Sequence, residues 1–199
     1  MATYLFILFG GILLTIVANL IFLGEAISVT VYTILTAVII FCIDVVVAFI
    51  LHKLPPKLYK ADKFPYKTYA WERKVLEKLK IRKWKGVVPD MGQLCDFKKS
   101  KVESNEIEYI DKFLVETCYA EAIHSTMIFT AIVVFFMLKG VYRWSIGIPC
   151  FMINLILNLP PTLIQRYTRP KLMMMKKRQI LIKERENKKL KEVAITEEK

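Results

Sequence analysis

Hydrophobic and polar positions are segregated along this chain in long blocks, with no alternating pattern. Residues 1–52 contain Glu25 and Asp44 but no Lys or Arg, residues 53–118 are densely charged, residues 123–138 carry no formal charge, and charge returns from Arg166 onward. Blocks of this kind mark membrane spans separated by aqueous loops, because about 20 apolar residues in a helix cross the hydrocarbon core. The pattern predicts an all-α membrane protein with about four transmembrane helices, a cytoplasmic amphipathic-helical loop and a basic helical C-terminal tail. Span one is expected over residues 2–23 and span two over 27–51, ended by Pro55-Pro56. Span three is expected over 120–138. Span four is expected over 144–164, kinked or loosened by Pro149, Pro160 and Pro161. The first span lacks a basic leading region and is longer than a signal-peptide core, so it reads as retained.

The segments follow from these spans. Residues 1–53 and 119–170 are transmembrane hairpins, 54–118 is a loop with interfacial helices, and 171–199 is a basic tail. Within the loop, Thr68 to Lys83 places Trp71, Val75, Leu76 and Leu79 at spacings of three and four, which predicts an amphipathic helix suited to a membrane surface. A second helix is expected from Asn105 towards span three.

Charge adds orientation. The 30 Lys and Arg give a net charge of +12. All but Lys139 and Arg143 fall on the same side of the membrane as the loop and the tail, so the positive-inside rule places the loop and both termini in the cytoplasm. For a membrane protein such charge faces anionic lipid, and no nucleic-acid-binding motif is present. Mean hydropathy of +0.38 agrees with the membrane reading. Cys42, Cys95, Cys118 and Cys150 form no CxxC pair, so neither a zinc site nor a disulfide framework is expected.

Polar groups within spans need a partner or a task. Asp44 lies in the middle of span two, where it either hydrogen-bonds a neighbouring helix or serves a function. Glu116, Glu121 and His124 share one helical face, with Glu121 and His124 three residues apart. A carboxylate beside an imidazole fixes its tautomer and equips it as a general base. The same groups could hold a metal, but no further ligand is evident and no metal is expected. A loop with basic and aromatic residues, Arg82 to Gly92, includes Lys85 and Asp90 and suits phosphate or a headgroup. A third cluster at the end of span four contains Asn154, Asn158, Gln165, Arg166, Tyr167 and Arg169. Asn154 and Asn158, one turn apart, are expected to line the bundle interior and to pair with Asp44 or with a substrate. Signatures for Ser hydrolases, P-loops, dinucleotide folds and zinc proteases are missing from the sequence.

The order RKWKGVVPDMG, ESNEIEYIDKFLVETCYAEAIH and NLPPTLIQRYTRPKL resembles the glycosyl-4,4'-diaponeurosporenoate acyltransferase family of small bacterial membrane proteins, over roughly residues 70–172. The resemblance implies transfer of a fatty acyl group from a thioester donor, acyl-CoA or acyl-carrier protein, to a sugar hydroxyl of a glycolipid or glycosylated carotenoid. No bound cofactor is implied. It maps the histidine of the AExxH segment to His124, with Glu121 and Glu116 alongside. The KxxxPD segment maps to Lys85, Pro89 and Asp90, and the QRYxRP segment to Gln165, Arg166, Tyr167, Arg169 and Pro170. Ser125 departs from the pattern, which often has an aromatic there. His124 is expected as base, assisted by Glu121, with Lys85, Arg166 and Arg169 binding donor phosphates or an oxyanion. The expected partners are membrane lipid, a lipidic acceptor and the donor, in a bacterial cell membrane. Two other readings are a non-enzymatic assembly or regulatory subunit that binds partners or lipid through its basic loop and tail, and a small transporter that uses Asp44.

Overall fold

A computed structural model describes residues 2–23, 26–88 and 104–197. The described residues are mostly helical, with no strand among them. Four helices among the described residues are long and apolar enough to cross a membrane. Helix α1 (Ala2–Leu23) and α2 (Ala26–Lys53) form the first pair. The loop region carries a 3-10 turn (Pro56–Leu58), α3 (Ala70–Lys78) and the single-turn α4 (Ile81–Trp84). Helix α5 (Ile107–Met137) is followed by a one-turn α6 (Gly140–Tyr142), a π-helical turn (Arg143–Gly147) and α7 (Ile148–Glu197).

Helices α5 and α7 pack antiparallel and form the spine of the bundle, and α1 and α2 lie against them. At 1.5 Å per residue α5 is about 46 Å long and α7 about 75 Å, well beyond the roughly 30 Å hydrocarbon core. The second loop helix and span three are therefore one helix, as are span four and the tail. Helix α7 continues through Pro160, Pro161 and Pro170. Proline removes the N–H that would serve the carbonyl four residues earlier. At Pro170 the deprived carbonyl is that of Arg166, and the Thr68 hydroxyl donates to it at 3.2 Å. The loop thus supplies a donor that the helix lacks, and the helix continues.

The expected helix over 68–83 divides. Lys80 adopts φ +52 between α3 and α4, and the Trp84 indole N–H donates to the Leu79 carbonyl at 3.0 Å. The break turns Leu76 and Ile81 inward onto Ile164 of α7. Trp71, Val75 and Leu79 stay exposed, so the apolar stripe read from the sequence is shared between the protein and the outside. Glu72 steadies the first turn of α3 by accepting the Tyr69 backbone N–H at 2.8 Å.

At the opposite end of the bundle the turn between α5 and α6 uses Gly140 at φ +57. Arg143 donates through Nε to the Leu138 carbonyl at 2.8 Å and through Nη2 to the Phe136 carbonyl at 3.3 Å. It therefore serves carbonyls that the end of α5 leaves without helical donors. Asn19 of α1 donates to the Ser145 carbonyl at 2.9 Å, which ties α1 to the π turn. Gly11 of α1 approaches α7 so closely that a Cβ there would lie 2.6 Å from Cδ1 of Ile153.

Candidate active site

The loop of residues 54–84 folds across α5 near Thr117–Glu121 and α7 near Ile164–Arg169, and is fastened there by two arginines. Arg169 is fully buried, at 0% exposure. Its Nη2 lies 2.6 Å from Oε2 of Glu121, a close charge pair whose geometry is not that of an aligned hydrogen bond. Arg169 also donates to the Thr117 carbonyl at 3.0 Å, to the Thr117 hydroxyl at 3.2 Å and to the Tyr66 carbonyl at 2.5 Å. Arg166 donates through Nε to Oε1 of Glu121 at 2.7 Å, through Nη2 to the Pro65 carbonyl at 2.7 Å, and through Nη1 to Glu72. One carboxylate on α5, two guanidiniums on α7 and one carboxylate on α3 thus form a single network.

Aromatic residues complete the seal. The Tyr59 hydroxyl donates to the Leu51 carbonyl at 2.7 Å, and the Tyr119 hydroxyl donates to the same oxygen. These bonds serve a carbonyl near the end of α2, where helical donors run out. The Tyr59 and Tyr119 rings stack at 4.5 Å, and Tyr66 lies 5.9 Å from Tyr59. Burial, with smaller contributions from neighbouring groups, pushes the Tyr66 phenol from 10.0 up to about 12, so this side chain stays neutral across the physiological range.

Just inside this seal the four helices line a partly open cavity of about 520 Å³. Its walls are Leu, Ile, Val, Ala, Phe and Met side chains, interrupted by Asp44 of α2, His124 of α5 and Asn154 and Asn158 of α7. His124 Nδ1 lies 2.8 Å from Oδ1 of Asn158. Asn158 Nδ2 donates to the Asn154 carbonyl at 3.0 Å and to Asn154 Oδ1 at 3.2 Å. The amide nitrogen of Asn158 is therefore directed at two acceptors, and its oxygen accepts from His124 Nδ1–H. A neutral imidazole held in this way carries its lone pair on Nε2. Counting back from Met137 at 1.5 Å per residue, Glu121 lies about 24 Å and His124 about 20 Å from the far end of α5. Glu121 is thus near one membrane boundary, and His124 is a turn deeper.

The structure joins the first and third sequence clusters and redistributes their partners. Glu121 gives its two oxygens to Arg166 and Arg169, and Asn158 holds Nδ1 of His124. The orienting group for the imidazole was expected on the same helix and comes from the facing one. Arg166 and Arg169 hold the loop and the bundle together, with Arg169 inaccessible to a donor phosphate. Glu116 is half-buried on α5. Gln165 is buried, and its Nε2 has no hydrogen-bond partner among the described residues. Tyr167 packs with Ile81 of α4 and lies under Lys171, whose Nζ is 3.9 Å from the ring centre. Lys85 is half-buried just after α4, while Asp90 lies outside the described residues. The sequence reading missed Glu72 and the Pro65 and Tyr66 carbonyls, while Thr117 lay on the same helical face as Glu121 and His124. Glu72 carried a signal as the acid in the first turn of a helix; backbone carbonyls carry none.

A family model for glycosyl-4,4'-diaponeurosporenoate acyltransferase matches residues 55–178. The chain belongs to this family. It is an acyltransferase, and the matched region contains α3, α4, α5, the arginine network, His124 and Asn158. Neither a curated protein nor a solved structure matches the chain.

Proposed function

We propose that this membrane acyltransferase moves a fatty acyl group from a thioester to a hydroxyl of a glycosylated lipid, in keeping with the glycosylated carotenoid in the family description. The observation that carries this reading is His124, fixed by Asn158 in the wall of an apolar cavity. His124 Nε2 takes the proton as the acceptor oxygen attacks the thioester carbonyl. The tetrahedral intermediate then collapses, the carbon–sulfur bond breaks, and the imidazolium returns the proton to the departing thiolate. The cavity is within the roughly 300–1,000 Å³ range of ligand sites and suits long apolar chains.

The same reading puts the loop, both termini and the basic tail on the cytoplasmic side of a bacterial cell membrane, because the positive charge is concentrated there. Lys85, Tyr167 and the basic residues that follow are then placed to meet a soluble donor, acyl-CoA or an acyl-carrier protein. The test is a lipid extract from cells with and without the gene, together with His124→Ala, analysed by mass spectrometry. The acylated product should depend on the gene and vanish in the variant at unchanged membrane abundance. Full product from the variant would sink the mechanism.

A further inference from the structure

The cavity wall carries a polar group that the mechanism above does not use. Asp44 of α2 lines the cavity, and its Oδ1 is buried without a hydrogen-bond partner among the described residues. An orphaned buried acceptor is costly, and so is a polar side chain within a span, so both are retained only where something offsets them. The neighbouring asparagines do not relieve Asp44, since Asn158 is committed to His124 and Asn154.

The depth of Asp44 fits a role at the reacting end of the cavity. The Tyr119 hydroxyl on the Leu51 carbonyl fixes α2 against α5. From that tie Asp44 lies about two turns along α2 and His124 about one and a half turns along α5. Both run in the same direction, so the two residues line the same stretch of the cavity. A saturated acyl chain brings no hydrogen-bond donor to that stretch; a hydroxyl-bearing headgroup does.

We propose that Asp44 is an acceptor-binding residue, taking a hydrogen bond from a hydroxyl of the acceptor's polar headgroup while His124 deprotonates its neighbour. This rests on the cavity being the acyltransfer site, and it adds that the cavity admits the acceptor's polar end as well as apolar chains. Asp44 lies outside the family-matched residues 55–178, so the contact would belong to this chain's own first hairpin.

The test uses the full-length protein in nanodiscs, with dodecyl glucoside as acceptor probe, dodecane as its sugarless counterpart and palmitoyl-CoA as donor. Binding of the two dodecyl probes is measured by native mass spectrometry for the wild type, Asp44→Asn and Asp44→Leu. The wild type should favour the glucoside. Asp44→Leu should lose about tenfold in glucoside affinity, with dodecane binding unchanged, which is the loss of one buried hydrogen bond of about 1.4 kcal/mol. Asp44→Asn, which keeps an acceptor oxygen, should lose less. In turnover, KM for the glucoside should rise in both variants, while KM for palmitoyl-CoA stays fixed. Equal glucoside binding by the wild type and Asp44→Leu at comparable melting temperature would overturn the proposal, as would a rise confined to the KM of the donor. The binding arm stands without catalysis. Absence of transfer by the wild type, with the Asp44 dependence of glucoside binding intact, would therefore count against the acyltransfer chemistry and not against this contact.

Discussion

Arg166 and Arg169 converge on one carboxylate, that of Glu121, with Nε of Arg166 2.7 Å from Oε1 and Nη2 of Arg169 2.6 Å from Oε2. The three residues come from two helices, and the bonds that radiate from the guanidiniums reach α3 and the loop. This network is the hinge between the membrane-spanning bundle and everything that covers its mouth.

Removing Glu121 should unfold that junction. Arg169 is fully buried, and losing the partner of a buried charge costs about 3–5 kcal/mol. Glu121→Ala should lower the melting temperature in detergent sharply, because both carboxylate oxygens face guanidiniums. Glu72→Ala, which removes one arm of Arg166 and the acceptor of the Tyr69 N–H but leaves Arg169 and Glu121 paired, should cost less, about 1–2 kcal/mol. Equal losses in the two variants would contradict this hierarchy.

Arg169→Lys should be nearly as damaging as Arg169→Ala. A lysine has one point of attachment where the guanidinium serves Glu121, the Thr117 carbonyl and the Tyr66 carbonyl in fixed directions. Hydrogen exchange should show loss of protection in residues 54–84, while the core of α5 stays protected. Unaltered protection would show that the loop is held by apolar contacts alone.

Asn158→Ala should reduce transfer by about 10²-fold or more, the scale of general-base assistance. It removes the group that holds His124 Nδ1 while leaving the imidazole in place. The readout is kcat in reconstituted membranes at matched abundance. A kcat within twofold of the wild type would mean that the ring needs no orienting partner.

The buried Tyr66 sets an alkaline limit. Its folded form is the neutral phenol, with a pKa raised by burial from 10.0 to about 12. Below about 10 both folded and unfolded phenols are protonated, and the residue adds no pH dependence. Stability falls as pH rises between about 10 and about 12, because only the unfolded phenol releases its proton there. Melting curves should show this slope in the wild type and a shallower one in Tyr66→Phe.

Gly11→Ala should loosen α1 by about 1 kcal/mol, since its new methyl would meet the tip of Ile153 at 2.6 Å. Ile153→Ala in the same chain should restore the fit. Failure of the second change to rescue the first would mean that α1 is not held at this distance.

The sequence by itself determined the membrane architecture. Uninterrupted apolar blocks of span length and the confinement of charge between them leave few alternatives, and local composition expresses both properties. The candidate site residues were also legible, because Glu121, His124, Asn158, Arg166 and Arg169 sit at span ends and in spans, where polar groups are costly. Their partners were not. Spacing along α5 favoured Glu121 beside His124, but a side chain chooses the strongest complementary group within reach, and α7 brings two guanidiniums to the one and an amide to the other. The continuity of α5 and α7 was likewise a tertiary outcome. Pro170 reads as a helix breaker until Thr68, distant in sequence, supplies a donor to the carbonyl it deprives. Asp44 combines the two levels: its cost was visible in the sequence, whereas its place in the same cavity as His124 was decided by the packing of α2 against α5.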